Sequence, residues 1–202
     1  MAYPTVSAPY GLKPVNLIGG QVFAGATRLM EIASGYATSI FYGDLVKRIT
    51  SGTIEKDTGT TTATPCGVFL GVQFTNGSTG QIQQQQFYPA SQSIKSGTQI
   101  FAVVADDPDT LFQVVSCSAT TTVAAMGIAA IGSNIALIQN AGSSTTGNSA
   151  VAIDEGTQTT TNTLPIRIID VVRETATGAD AFVEFIVKIN ATMHQYNNAT
   201  GI

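Results

Sequence analysis

The residues of this chain best suited to chemistry are Asp106, Asp107 and Asp109, grouped around Pro108 so that three carboxylates fall within four positions. Clustered carboxylate oxygens are what a hard cation such as calcium binds. An EF-hand loop also needs a glycine at its sharp turn and a bidentate glutamate at a fixed offset, and neither follows here. The same residues make a tight turn, with φ preset by the proline and side-chain oxygens accepting from nearby backbone N–H groups. A turn is therefore expected, and no metal. Asp154-Glu155 is a second acidic pair, of the kind glycosidases use, and it too lies in turn-forming sequence. The one histidine, His194, sits in a polar stretch after the last apolar run, where no triad can be assembled around it. Cys66 and Cys117 each border an apolar run and are expected as two reduced core thiols, with a single bridge between them as the alternative. The glycines fall singly at turns, and no P-loop, nucleophile elbow, HExxH, CxxC or dinucleotide fingerprint is present. The expectation is a protein that is not an enzyme and needs no cofactor.

Composition narrows the partners. The chain has 202 residues, 44% of them hydrophobic, which is enough for a full core. Only 11% are charged, against roughly 25% in ordinary soluble domains. Thr, Ser, Gly, Asn and Gln fill the polar positions instead, which suits permanent assembly. The net charge of -4, with Lys and Arg scattered, gives no basic face for nucleic acid or anionic lipid. The first residues lack the basic and apolar regions of a signal peptide, and no apolar run approaches the roughly 18 residues of a membrane span. Synthesis in a cytoplasm, with no membrane partner, is expected.

The elements that must position these residues are mostly strands. Residues 99–117 place two β-branched and aromatic runs on either side of the aspartates, which predicts a β-hairpin with an acidic tip. Both faces of its first arm are apolar, so that arm belongs between two layers. Asn76-Gly77 predicts a second hairpin, leading into the polar strand that contains Gln83, Gln84, Gln85 and Gln86. Gly43-Asp44 marks a turn or bulge, and Gly67 and Gly71 mark close backbone approach or sharp coiling within a strand. Residues 164–173 and 181–189 predict a last strand pair. Alanine-rich residues 120–133 allow one short helix. Pro4, Pro9 and Pro14 keep residues 1–20 extended, as an arm carrying Tyr3, Tyr10 and Leu12 that binds either its own body or a neighbouring subunit. The body is expected over residues 21–190, with the polar residues 141–163 either an ordered, decorated loop or the boundary of a second lobe, and residues 191–202 as a polar tail that ends free. The fold class is mainly β: an antiparallel β-sandwich or β-barrel with an extended N-terminal arm and at most one short helix.

Several phrases of the sequence carry a resemblance: APYGLKPVNLIGGQ, SIFYGDLVKRI, CGVFLGVQF, ADDPDTLFQVV, TLPIRIIDVV and VKINATMHQYN. Together they cover most of the chain, and it resembles the head decoration or cement proteins of tailed bacteriophages, of marine-phage type. The resemblance implies a β-rich structural protein on the outer surface of the virion, bound to the major capsid protein and often trimeric near local three-fold axes. On that reading Tyr3, Tyr10 and Leu12 in the arm and His194 and Tyr196 in the tail reach a neighbouring subunit, while Asp106, Asp107 and Asp109 meet a basic patch on a partner. A tail or fibre component and a carbohydrate-binding β-sandwich are the alternatives. The first calls for a shaft-like repeat, which the chain lacks, and the second for exposed aromatics, in a chain without tryptophan.

Overall fold

The computed structural model describes residues 8–119, 122–123, 126–176 and 182–201. It is mainly β, as expected, and is built of two sheets. Strands β1 (Lys13–Leu17), β2 (Arg28–Ile32), β3 (Leu45–Arg48), β4 (Ile54–Lys56), β5 (Gly67–Thr75), β6 (Ile82–Gln85) and β7 (Ile100–Ala105) come first. They are followed by β8 (Thr110–Ser118), β9 (Thr122–Val123), β10 (Asn134–Ile135), β11 (Leu137–Ile138), β12 (Ala152–Asp154), β13 (Ile166–Val171) and β14 (Glu184–Ile189).

One sheet runs β3-β4-β2-β7-β5-β6, and a further pairing of β3 with β5 closes β3, β4, β2, β7 and β5 into a small barrel. Its ladders are antiparallel apart from the β2–β4 contact at Ile32 and Ile54. Closure removes the open edges that five strands would otherwise present, and leaves β6 as a fin on β5. Met30, Ile32, Val46, Ile54, Phe69, Val72, Ile100, Ala102 and Val104 fill the barrel, with Ile40 and Tyr88.

The second sheet runs β10-β13-β14-β8-β12-β11, with β1 and β9 also paired to β8. A shared core lies between the layers. Leu45, Val68 and Ala105 point out of the barrel and meet Phe112, Val114, Ile168, Phe185 and Val187. Each of these strands therefore sends neighbouring residues to different cores: Leu45 to the shared one and Val46 to the barrel, Val68 and Phe69 likewise, and Ala105 and Val104 likewise. The period of two along a strand, with both faces covered, is why these runs show little polar alternation. Each large side chain buried in this way contributes about 1.5–3 kcal/mol. The register of β5 shifts between Phe69 and Gly71, and the residue between them, Leu70, packs against the shared core. Gly67 answers the expectation of close approach, since a Cβ there would stand 2.4 Å from the Ala105 carbonyl oxygen. Gly43 makes the expected turn with φ +91°. The adjoining Asp44 is fully buried and holds three groups: Ser149 Oγ at 2.6 Å, the Phe41 N–H at 2.9 Å and Lys56 Nζ at 2.9 Å.

The structure bears out two predicted pairings and corrects a third. β5 and β6 pair across the Asn76-Gly77 turn, where Asn76 Oδ1 accepts from the N–H groups of Ser78 and Thr79. β13 and β14 pair as the last strands. The runs around the aspartates, however, do not form a hairpin. β7 pairs with β2 and β5, whereas β8 pairs with β14 and β1, so residues 106–109 carry the chain from the barrel to the second sheet. Turn chemistry reverses a chain without choosing its partners, and with both faces of β7 apolar the strand is best buried in the barrel wall.

Other expectations change in detail. The arm is described only from Ala8, and Tyr3 lies outside the described residues. From Lys13 it is a strand on the protein's own β8, preceded by the core residue Leu12. The helix expected in residues 120–133 is a single 3-10 turn, Ile128–Ala130, flanked by Gly127 and the positive-φ Gly132, with positions 120, 121, 124 and 125 outside the description. The polar stretch after residue 141 is an ordered loop that inserts β12 beside β8.

Candidate functional site

Of the residues singled out, Asp106, His194 and Tyr196 come together at one end of the barrel, beside Arg28 and Arg48. Arg28 and Arg48 share the inward register of β2 and β3, and Asp106 follows the last residue of β7. The tail, expected to end free, folds back over this rim. The His194 N–H donates to the Asn190 carbonyl, making a turn, and the Gln195 N–H donates to the Pro65 carbonyl at 3.0 Å. The Gln195 side chain then stands in for a strand. Its Oε1 accepts from the Arg48 N–H at 2.8 Å, and its Nε2 donates to the Arg48 carbonyl at 3.1 Å. A primary amide offers the same donor and acceptor pair as a peptide unit, so it satisfies backbone that would otherwise be orphaned there.

Tyr196 closes the arrangement. Its hydroxyl donates to Asp106 Oδ2 at 2.6 Å, and the same oxygen receives Arg28 Nε at 2.9 Å. The Arg28 guanidinium also lies 5.7 Å from the Tyr196 ring centroid, a cation–π geometry. Burial and the adjacent Asp106 carboxylate push the Tyr196 phenol up to about 12. His194 is 1% exposed. Its ring lies 5.2 Å from that of Tyr196, and its Nδ1 accepts the Tyr196 N–H at 3.2 Å while Nε2 is buried without a partner. Burial lowers the His194 pKa, and the attraction of Asp106 opposes this. A neutral imidazole with a free Nδ1 lone pair is what the Tyr196 N–H requires.

The three aspartates do not converge. Asp106 serves Arg28 and Tyr196, Asp107 Oδ1 accepts the Asp109 N–H at 2.8 Å, and Asp109 Oδ1 takes Lys188 Nζ at 2.6 Å. Among the described residues no three or more His, Cys, Asp or Glu side chains are grouped to hold a metal ion. Asp154 accepts the Gly156 N–H within a 3-10 turn, which is local turn chemistry. Cys66 and Cys117 are free and lie in separate clusters, and burial pushes their thiols up to about 12 and about 11.

Of the residues expected to face a partner, Leu12 is core and His194 is buried, so neither offers surface. Tyr10 is turned onto the outer face of the second sheet, where its hydroxyl donates to Glu184 and its ring receives Lys13 Nζ at 4.0 Å from the centroid. Burial first, then the Glu184 contact, raises the Tyr10 pKa far above its ordinary value. Asp107, Asp109 and Tyr196 keep exposed surface. Asp107 and Tyr196, with Arg28, Asp106 and Pro108, line a shallow concavity of ≈ 410 Å³.

A second surface was not anticipated. On the outside of the barrel Leu29 is 58% exposed and stands opposite Val103, while Phe101 stands between Glu31 and Gln73. Ile82 on β6 is 69% exposed, and a small groove beside it runs past Thr75, Thr98 and Phe101. Among the described residues β6 pairs on one side only, with β5. No charged residue occurs between positions 58 and 94, which includes the whole β5–β6 hairpin. That gap was visible in the sequence, although each segment within it reads as ordinary polar strand or turn.

Searches of protein-family models, of characterised proteins and of solved structures find no match to this chain.

Proposed function

We propose that the chain is a non-enzymatic virion structural protein of a tailed phage, a head decoration or cement protein. It is made in the host cytoplasm and binds the outer face of the major capsid protein lattice as a homo-oligomer, with the trimer favoured. The observation that carries this reading is the apolar outer margin of the barrel, with exposed Leu29 and Ile82 and half-exposed Phe101 and Val103, where Glu31 stands opposite Phe101 and the β5–β6 hairpin beside them carries no charge. Apolar surface of this kind gains free energy when another protein covers it, and along the β5–β6 hairpin the absence of charge removes the desolvation cost of burying it. The charge-poor composition and the family resemblance support the same reading. The role is mechanical: added buried area across subunit seams that resists separation of the capsid shell.

Cryo-electron microscopy of capsids assembled with and without the protein tests this. Density over the outer capsid, and a higher temperature of head rupture in its presence, are expected. Density confined to the tail, or unchanged rupture with no bound protein, overturns the proposal. The same reconstruction reads the oligomer order on the lattice.

A further inference from the structure

We propose that β6 is a self-pairing edge, through which two copies of this chain join antiparallel about a two-fold axis and extend the barrel sheet from one copy into the other. The inference is independent of what the assembly decorates, and it concerns the free chain in solution, a contact separate from the three-fold association proposed on the lattice.

An open strand edge presents unpaired N–H and C=O groups. Proteins that must stay apart protect such edges with charge, proline, a bulge or a covering segment. β6 has none of these protections: residues 81–86 read QIQQQQ, and the β5–β6 register runs without a shift from Val72 opposite Gln85 to Thr75 opposite Ile82. Among the described residues no ladder covers its outer side.

Three features favour a second copy as the occupant. First, the chain carries a net charge of -4, which opposes association at most surfaces, but no charge falls between positions 58 and 94. Two β6 edges can therefore approach without repulsion. Second, the strand is close to self-complementary. Pairing about a two-fold normal to the sheet keeps each face continuous, so residues opposite one another must share a face. Centred on Gln84, this places Gln84 opposite Gln84, Gln83 opposite Gln85 and Ile82 opposite Gln86; the paired Gln84 amides can donate and accept in either direction, while Gln83 Oε1 and Gln86 Nε2 are held by Asn76 and Asn148 of their own chain. Third, Ile82 loses exposure when a strand is laid alongside, without any charged group being buried. The operation is isologous and closes at two copies, so it does not propagate into a fibre.

Sedimentation of the purified chain across a concentration series, with chemistry at the two-fold, tests this. A monomer–dimer equilibrium is expected, and Gln84→Lys, which sets two ammonium groups face to face, should weaken it by at least tenfold while leaving the far-ultraviolet spectrum unchanged. Gln84→Cys should give a covalent dimer under mild oxidation, whereas Thr79→Cys at the hairpin tip should not. The buried Cys66 and Cys117 thiols keep the background low. A chain that stays monomeric at millimolar concentration, a dimer indifferent to Gln84→Lys, or equal cross-linking through Thr79→Cys would each overturn the proposal. Capsid binding is read in a separate experiment, so failure of one does not decide the other.

Discussion

At one end of the barrel Arg28, Arg48, Asp106 and Tyr196 are drawn together under the tail, whereas along β6 no side chain from position 81 to 86 carries a charge. The first region uses its polar groups on its own chain. Asp106 is shared by Arg28 and Tyr196, Asp109 pairs with Lys188, and the Arg48 backbone is held by Gln195. The same pattern recurs at Asp44 with Lys56 and at Tyr10 with Glu184. The scarce ionic groups of this protein act as internal fasteners. What is left facing outward along the hairpin is neutral, and for that reason is suited to lasting contact with another protein.

The contrast can be broken from the fastener side first. Lys56→Met leaves Asp44 buried without its cation, and a loss of about 3–5 kcal/mol is expected on denaturant unfolding; a loss below about 1 kcal/mol would show that Ser149 and the Phe41 N–H suffice for Asp44. Tyr10→Phe strips a hydrogen bond from the mostly buried Glu184 and should cost about 1.5–3 kcal/mol in the same measurement. Tyr196→Phe leaves Arg28 on Asp106, so a smaller loss of about 1 kcal/mol is expected. It should come with faster hydrogen exchange at the Arg48 and Gln195 amides, since the tail would loosen before the body does.

His194 adds a dependence on pH. Burial lowers the affinity of its imidazole for a proton in the fold, while the unfolded chain binds one from about pH 6.5 downward. The unfolded state then holds more protons, so this contribution is fully present above that pH and is lost as the pH falls below it. His194→Asn keeps an acceptor for the Tyr196 N–H and should flatten the melting temperature between about pH 7 and 5. An unchanged slope would assign the dependence to the carboxylates. The smallest stability effect belongs to the other region: Leu29→Ser should move unfolding by no more than about 0.5 kcal/mol, yet reduce capsid occupancy under the proposed function. Occupancy equal to that of the parent chain would remove Leu29 from the contact surface.

Much of the fold was legible because its signals are local. The Asn76-Gly77 turn, the alternation in β13 and β14 and the turn at Gly43 each depend on neighbours in sequence, and each is found. The fate of residues 106–109 was not legible, because a turn between two apolar strands looks the same whether they pair with each other or part into separate layers. The tail was misjudged for a different reason. Polar residues such as Gln195 and His194 read as solvated, and nothing periodic announces that an amide will occupy the place of a strand. For the candidate site, the sequence singled out Asp106 in a turn and His194 and Tyr196 in the tail separately and for outward contacts, and their meeting with Arg28 is visible only in three dimensions.

The ring of the barrel has a consequence for synthesis. Every pairing that closes it lies between Arg28 and Ala105, so the ring has all its partners before any strand of the second sheet other than β1 has been translated. β1, made earlier, waits for β8, and Arg48 waits for Gln195, which is made long after the barrel strands. A ribosome-bound chain would thus carry a closed barrel with an uncapped end, and that end is sealed only when Gln195 and Tyr196 clear the exit tunnel.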